Sequence, residues 1–280
     1  MSTDLRVAVV LPLYKPDFNE YEKISFLLAD HVLANHTRVI VKPHSLNLKF
    51  SGWTLFSFDD WFFRSHNNYS QLLLDIDFYT QFKDFDYILI YQLDSLVLSD
   101  RLLEWCQKQY DYIGPLWDRN EIEFWENVTW NYVDFGCGNG GFSLRKVSSC
   151  IEALRGAIAE AQRALGKDTS LCSFGDMIQR YSSLLHKGKV FSNNEDMFWG
   201  FWANRFKGDF KLGSLEDSLA FGFEYNPEKC LTMNHGELPF GAHAWFKFKE
   251  SREFWLRLLN ERFDLEQLIK EFDGKRFRNG

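Results

Sequence analysis

The sequence predicts an α/β fold: a mostly parallel central sheet flanked by helices, in a single domain. Three observations predict it. Apolar runs with the composition of strands buried on both faces alternate with segments of helical periodicity. The order is strand, helix, strand, helix, strand, which places crossover helices on the faces of a parallel sheet. No Pro/Ser-rich linker divides the 280 residues.

The elements follow in order. Arg6 to Tyr14 (RVAVVLPLY) reads as a first buried strand closed by Pro12. Tyr21, Ile24, Leu27, Leu28 and His31 recur at helical spacing, so a helix spans 18–33. Thr37 to Pro43 is the second strand and Trp53 to Phe58 the third, with Asp59 and Asp60 as capping residues after it. Periodicity predicts one helix over 68–82, then the strand 86–93. A short helix is expected over 102–109 and a strand over 110–113, running into Gly114 and Pro115. The acidic, aromatic stretch Trp117 to Trp130 has no clean period and reads as a loop or lid. Residues 133–145 are glycine-rich and then apolar. A helix over 148–165 and a closing amphipathic helix over 254–272 complete the chain. The expected division of labour is a nucleotide half over 1–115, a sugar half over 116–250 and a C-terminal helix over 251–280.

Composition narrows the function. A net charge of −7 and a pI near 5.6 argue against a nucleic-acid partner. The apolar start VAVVLPLY is too short for a signal or a membrane span, so the chain reads as soluble and cytoplasmic. Cys106, Cys137, Cys150, Cys172 and Cys230 show no CxxC spacing and read as reduced thiols. Aromatic residues make up 18% of the chain. Most belong to a core; a few exposed rings would suit the flat apolar faces of sugars.

Four stretches carry chemistry. In YILIYQLDSLVLSD (87–100) an apolar strand stops at Gln92-Leu93-Asp94. Asp94 either caps the next turn or holds a cation at the edge of the sheet where ligands of such folds bind. GCGNGGFSLR (136–145) lacks the pattern of a phosphate loop and reads as a hairpin or as a bare backbone wall beside a polar ring. NNEDMFWG (193–200) places Glu195 and Asp196 at a helix start, either as a cap or as a general base with a helper. LPFGAHAW (238–245) presents His243 in a punctuated loop, either as a core imidazole or as a metal ligand. Arg64 and Tyr69, after the third strand, are candidates for nucleotide contact.

Together these stretches resemble the metal-dependent glycosyltransferases of the GT-A fold. Asn139 to Ser143 (NGGFS) and Glu195 to Gly200 (EDMFWG) resemble inverting β-galactosyl- and N-acetylglucosaminyltransferases. More narrowly, YILIYQLDSLVL, YDYIGPLW, GNGGFSLR, NEDMFW and LPFGAHAW resemble a bacterial domain family of unassigned function, described as glycosyltransferase-like. The resemblance implies a GT-A-like fold and transfer from a nucleoside-diphosphate sugar, UDP first among the bases. The implied acceptor is a carbohydrate, free or lipid-linked, in surface polysaccharide or lipopolysaccharide synthesis at the inner membrane face. It implies Mn2+ or Mg2+ on Asp94 and His243. Gln92 stands where the first acid of the family's Asp-x-Asp often stands. Asp196 matches the catalytic base. Asn139, Gly140, Gly141, Glu195 and Trp245 match positions around donor sugar and acceptor, and Pro12, Leu13 and Tyr14 match the turn that lines base and ribose. Competing readings are a nucleotidyltransferase or metal-dependent phosphohydrolase, and a non-catalytic carbohydrate-binding or partner-binding domain.

Overall fold

Four consecutive parallel strands and one reversed strand place the chemistry of this chain. The computed structural model describes residues 5–48, 50–118, 135–165, 177 and 194–277. The parallel strands are β1 (Val7–Pro12), β2 (Thr37–Pro43), β3 (Thr54–Phe58) and β4 (Tyr87–Tyr91). Then come β5 (Leu96–Val97), β6 (Tyr112–Ile113), β7 (Leu116–Asp118), β8 (Phe135–Cys137), β9 (Phe142–Lys146), β10 (Gly222–Phe223) and β11 (Gly241–Ala242). The main sheet has the order β3-β2-β1-β4-β9-β6, and only β9 runs against its neighbours. β10, β11 and β5 form a small second sheet, and β7 pairs with β8.

The central strands are buried on both faces, as their unbroken apolar runs require. Helix α1 (Glu20–Val32) starts at a capping box in which Asn19 accepts from Glu22 N and Glu22 accepts from Asn19 N. The helix Val147–Leu165 continues directly from β9 and covers the sheet beside α3 (Ile76–Gln81). Phe26 of α1 meets Phe18, Phe50, Trp53 and Phe272 in one aromatic cluster that holds the C-terminal helix in place.

Two expected helices are each broken by a cap. The helix expected over 68–82 is α2 (His66–Leu72) and α3, because the Asp75 carboxylate accepts from Asp77 N and starts a new helix. The closing helix expected over 254–272 is likewise two, Lys249–Arg262 and Leu265–Phe277, with Asp264 accepting from Gln267 N at the break. The helices Leu215–Phe221 and Pro227–Met233 were not foreseen. No described helix is long and apolar enough to cross a membrane.

Register converts this topology into a site. Tyr91 at the end of β4 pairs with Phe142 at the start of β9. The residues just beyond therefore meet, and Gln92 N donates to Gly141 O at 2.8 Å. β11 lies between β10 and β5, so His243 N reaches Phe223 O at 3.0 Å and Trp245 N reaches Asp94 O at 3.1 Å. The turn after β4 is locked from below by the buried Tyr91 hydroxyl, 2.9 Å from Ser25 O and 3.1 Å from Ser95 O. Tyr91→Phe leaves both buried carbonyls short of that donor and should cost about 1–2 kcal/mol, read as a lower urea midpoint at unchanged m-value.

Candidate functional site

The site begins where β4 ends. Asp94 is half-buried, with Oδ1 3.3 Å from His243 Nε2 and Oδ2 2.6 Å from Lys247 Nζ. Gln92 Oε1 also lies 3.3 Å from His243 Nε2. On the other side of the ring, Glu224 receives His243 Nδ1 at 2.9 Å. Burial alone would raise the Asp94 pKa, but His243 and Lys247 outweigh it and hold the carboxyl well below its usual range. Burial alone would lower His243, but Asp94 and then Glu224 lift it to about 10. Ala244, next along, has φ +52, a left-handed conformation uncommon for a residue with a side chain. That turn sends His243 toward Asp94 and Trp245 into the core.

Gly140 and Gly141 separate this cluster from a second one. A Cβ on Gly141 would collide with His243 Nε2 and Gln92 Oε1, and one on Gly140 with Glu195 Oε1. Two bare residues are needed for the clusters to approach from both sides. Behind them Arg145, 0% exposed, donates through Nη2 to Gly140 O at 3.1 Å and to Glu195 Oε1 at 2.9 Å. Its Nη1 lies 2.9 Å from Glu195 Oε2 and bonds the Tyr79 hydroxyl at 3.0 Å. With Glu195 so engaged, Asp196 is the acid left toward the glycine loop. It accepts from Met197 N at 2.9 Å and, weakly, from Gly140 N at 3.4 Å. Burial, and then the Glu195 charge, push its pKa up to about 7.

A cavity of about 490 Å³ opens beside Asp94. Pro12, Leu13 and Tyr14 from the end of β1, Arg64 and Tyr69 from the segment after β3, and Gln92 and Asp94 all line it. These residues are scattered over 83 positions yet meet at one sheet edge. The Tyr69 hydroxyl is buried at the cavity wall, with the Gln92 side chain as its neighbour.

Asn139 joins the first cluster to the glycine loop, donating to Glu224 Oε1 at 3.0 Å and accepting from Gly141 N at 2.7 Å. Trp245 departs from expectation. It is 0% exposed, and its indole donates to Ser25 Oγ at 2.8 Å, so it presents no face to a sugar. Of the lid expected over 117–130, residues 119–130 lie outside the described residues. Trp117 at its start is buried, stacked on Phe201 at 5.8 Å. Sequence reading missed Glu224, Lys247 and Arg145. Lys247 and Arg145 lay within or just past quoted motifs, whereas nothing local marks Glu224.

Among the described residues, no group of three or more His, Cys, Asp and Glu side chains is arranged to hold a metal. What converges is one carboxylate, one imidazole nitrogen and one amide oxygen, with a carboxylate fixing the far ring nitrogen. Asp94, His243 and Gln92 are the residues that would hold Mn2+ or Mg2+, with His243 giving up the proton that faces Asp94. One carboxylate charge, already shared with Lys247, would hold such an ion weakly.

A family model described as "Protein of unknown function (DUF5672)" matches residues 52–243. The chain belongs to that family. The matched span of this DUF5672 chain includes Asp94, Gly140, Gly141, Glu195, Asp196, Glu224 and His243. No curated protein matches it. Among solved structures, the galactosyltransferase LgtC in complex with donor and acceptor sugar analogs is similar at 12% identity, covering 96% of this chain and 99% of that one with a TM-score of 0.54. The apo-form glycosyltransferase GlyE of Streptococcus pneumoniae TIGR4 covers 96% of this chain and 64% of its own, at 11% identity and a TM-score of 0.46. The fold is GT-A-like, with a central sheet flanked by helices.

Arg145→Met leaves Glu195 as an unpaired buried charge. It should destabilise the protein by about 3–5 kcal/mol, whereas Arg145→Met/Glu195→Met should recover most of that loss in denaturant titrations.

Proposed function

We propose that this protein is a glycosyltransferase that moves a sugar from a nucleoside-diphosphate sugar to a carbohydrate hydroxyl. One observation carries the reading. A cavity at the carboxyl ends of β1 and β4 meets a cluster of Asp94, His243 and Lys247, and a second acid, Asp196, lies across two bare glycines. The cavity suits a nucleotide: Tyr14, 64% exposed, offers a ring face, and Arg64 and Tyr69 offer donors. Residues 1–115 would supply most of this pocket and residues 116–250 the sugar side, with Lys247 reaching back into the pocket.

Transfer breaks the bond between the anomeric carbon and the diphosphate, which leaves with both electrons. Lys247 would neutralise charge developing there, and a divalent ion on Asp94, His243 and Gln92 would add Lewis-acid stabilisation. The acceptor hydroxyl attacks the anomeric carbon and gives its proton to Asp196. Arg145 keeps Glu195 occupied, leaving Asp196 as the base. A single base supports one displacement with inversion. UDP as the nucleotide, an acceptor free or lipid-linked, and a place in surface polysaccharide or lipopolysaccharide synthesis at the inner membrane face complete the reading.

Thermal-shift titration with UDP tests the pocket. UDP with Mn2+ should raise Tm more than either alone, and Asp94→Ala should remove the difference; no response to any nucleoside diphosphate would refute the assignment. The base has its own signature. With a carboxyl pKa of about 7, the ionised form fills as pH rises. Transfer measured as kcat/KM should therefore climb through neutral pH and level off above it. Asp196→Asn should lose about 10²–10⁴-fold in transfer while UDP binding stays intact.

A further inference from the structure

The aromatic content that suggested a sugar platform needs rings that are exposed, fixed and close to the base. Trp117, Trp199 and Trp245 are buried, and Tyr14 lines the nucleotide cavity. Two other rings are accessible and packed against each other. Phe248 is 46% exposed and half-buried Tyr225 lies against it, their centroids 5.4 Å apart and their planes inclined by 54°. Each directly follows a site residue: Tyr225 follows Glu224, and Phe248 follows Lys247.

Both rings are held by rigid neighbours. Asn226, with φ +39, turns the chain after Tyr225 and caps the helix Pro227–Met233, and Phe248 is the cap residue of the helix Lys249–Arg262. Contacts tie Glu224, the neighbour of Tyr225, to the base side. Glu224 accepts from Asn139, and the next residue, Gly140, donates weakly to Asp196. The Tyr225 phenol is pushed above its ordinary pKa by burial first, then by the charges of Glu224 and Asp196, which places it in the field of both acids. Neither ring lines the nucleotide cavity, although Phe246 and Lys247 do.

We infer that Tyr225 and Phe248 form the acceptor platform, on which the apolar face of a pyranose ring rests with its hydroxyl edge toward Asp196. The assignment rests on the glycosyltransferase reading for the name of its ligand, but not for the binding it describes. Sugar C–H faces pack on aromatic rings, while the hydroxyl rim stays free for Asn139 and the acids. An inclined pair also makes a shallow corner, which restricts how the ring can lie.

Saturation-transfer NMR tests this without turnover. Wild type, Phe248→Ala, Tyr225→Ala and Phe248→Trp are each mixed with methyl β-D-galactopyranoside, methyl β-D-glucopyranoside and their 2-acetamido forms. UDP binding is measured in parallel by thermal shift. The platform predicts transfer to sugar ring C–H protons in wild type. Affinity should be about 3–10-fold weaker in each alanine variant and restored in Phe248→Trp, at unchanged UDP response. Sugar signals that persist in both alanine variants, or that are absent from wild type, overturn it. A wild type that binds a pyranoside through these rings but no nucleoside diphosphate supports the platform and overturns the transferase reading.

Discussion

The buried pair of Arg145 and Glu195 is the constraint on which the site depends. A guanidinium with no exposure loses its hydration, and Coulomb attraction to one carboxylate rarely compensates for that by itself. Arg145 therefore spends its donors widely: on Glu195, Gly140 O, the Tyr79 hydroxyl and Ser143 Oγ. Every one of these partners belongs to an element that the site needs held still. Gly140 belongs to the glycine loop and Ser143 to β9 directly after it, Glu195 is the neighbour of Asp196, and Tyr79 belongs to α3 beneath. One side chain thus sets the distance between the glycine loop and the acidic turn.

Charge is divided across the glycines in a way that keeps two carboxylates in different states. Asp94 faces an imidazole and an ammonium and stays ionised. Asp196 faces a neighbouring acid and a desolvated surround, and its proton is held to near neutral pH. The same residue type is tuned in opposite directions by position alone, as expected where an acid–base role and an electrostatic role share one site. The two environments lie this close only because Gly140 and Gly141, the backbone between them, carry no side chain.

Much of this was legible in local pattern. The uniform apolar runs of β1, β2 and β4 mark a two-sided sheet, and Asp94 stands out because an acid ending such a strand needs a partner. Glycine density marks the loop, and the Glu195-Asp196 doublet marks the turn. The broken helices were less legible, because Asp75 and Asp264 sit within segments whose apolar period runs on through them. Trp245 was misjudged for a related reason: a ring beside a site histidine faces the opposite way once Ala244 turns left-handed.

What the sequence determined by itself is the set of elements and the chemistry of their ends, since burial period, caps and glycine runs act over a few residues. Only the tertiary structure decided who meets whom. Glu224 carries no local signal, and Lys247 only its place just past the LPFGAHAW stretch. They join His243 and Asp94 because β11 pairs with β10 on one side and β5 on the other, and strand register is settled by the packing of the whole sheet.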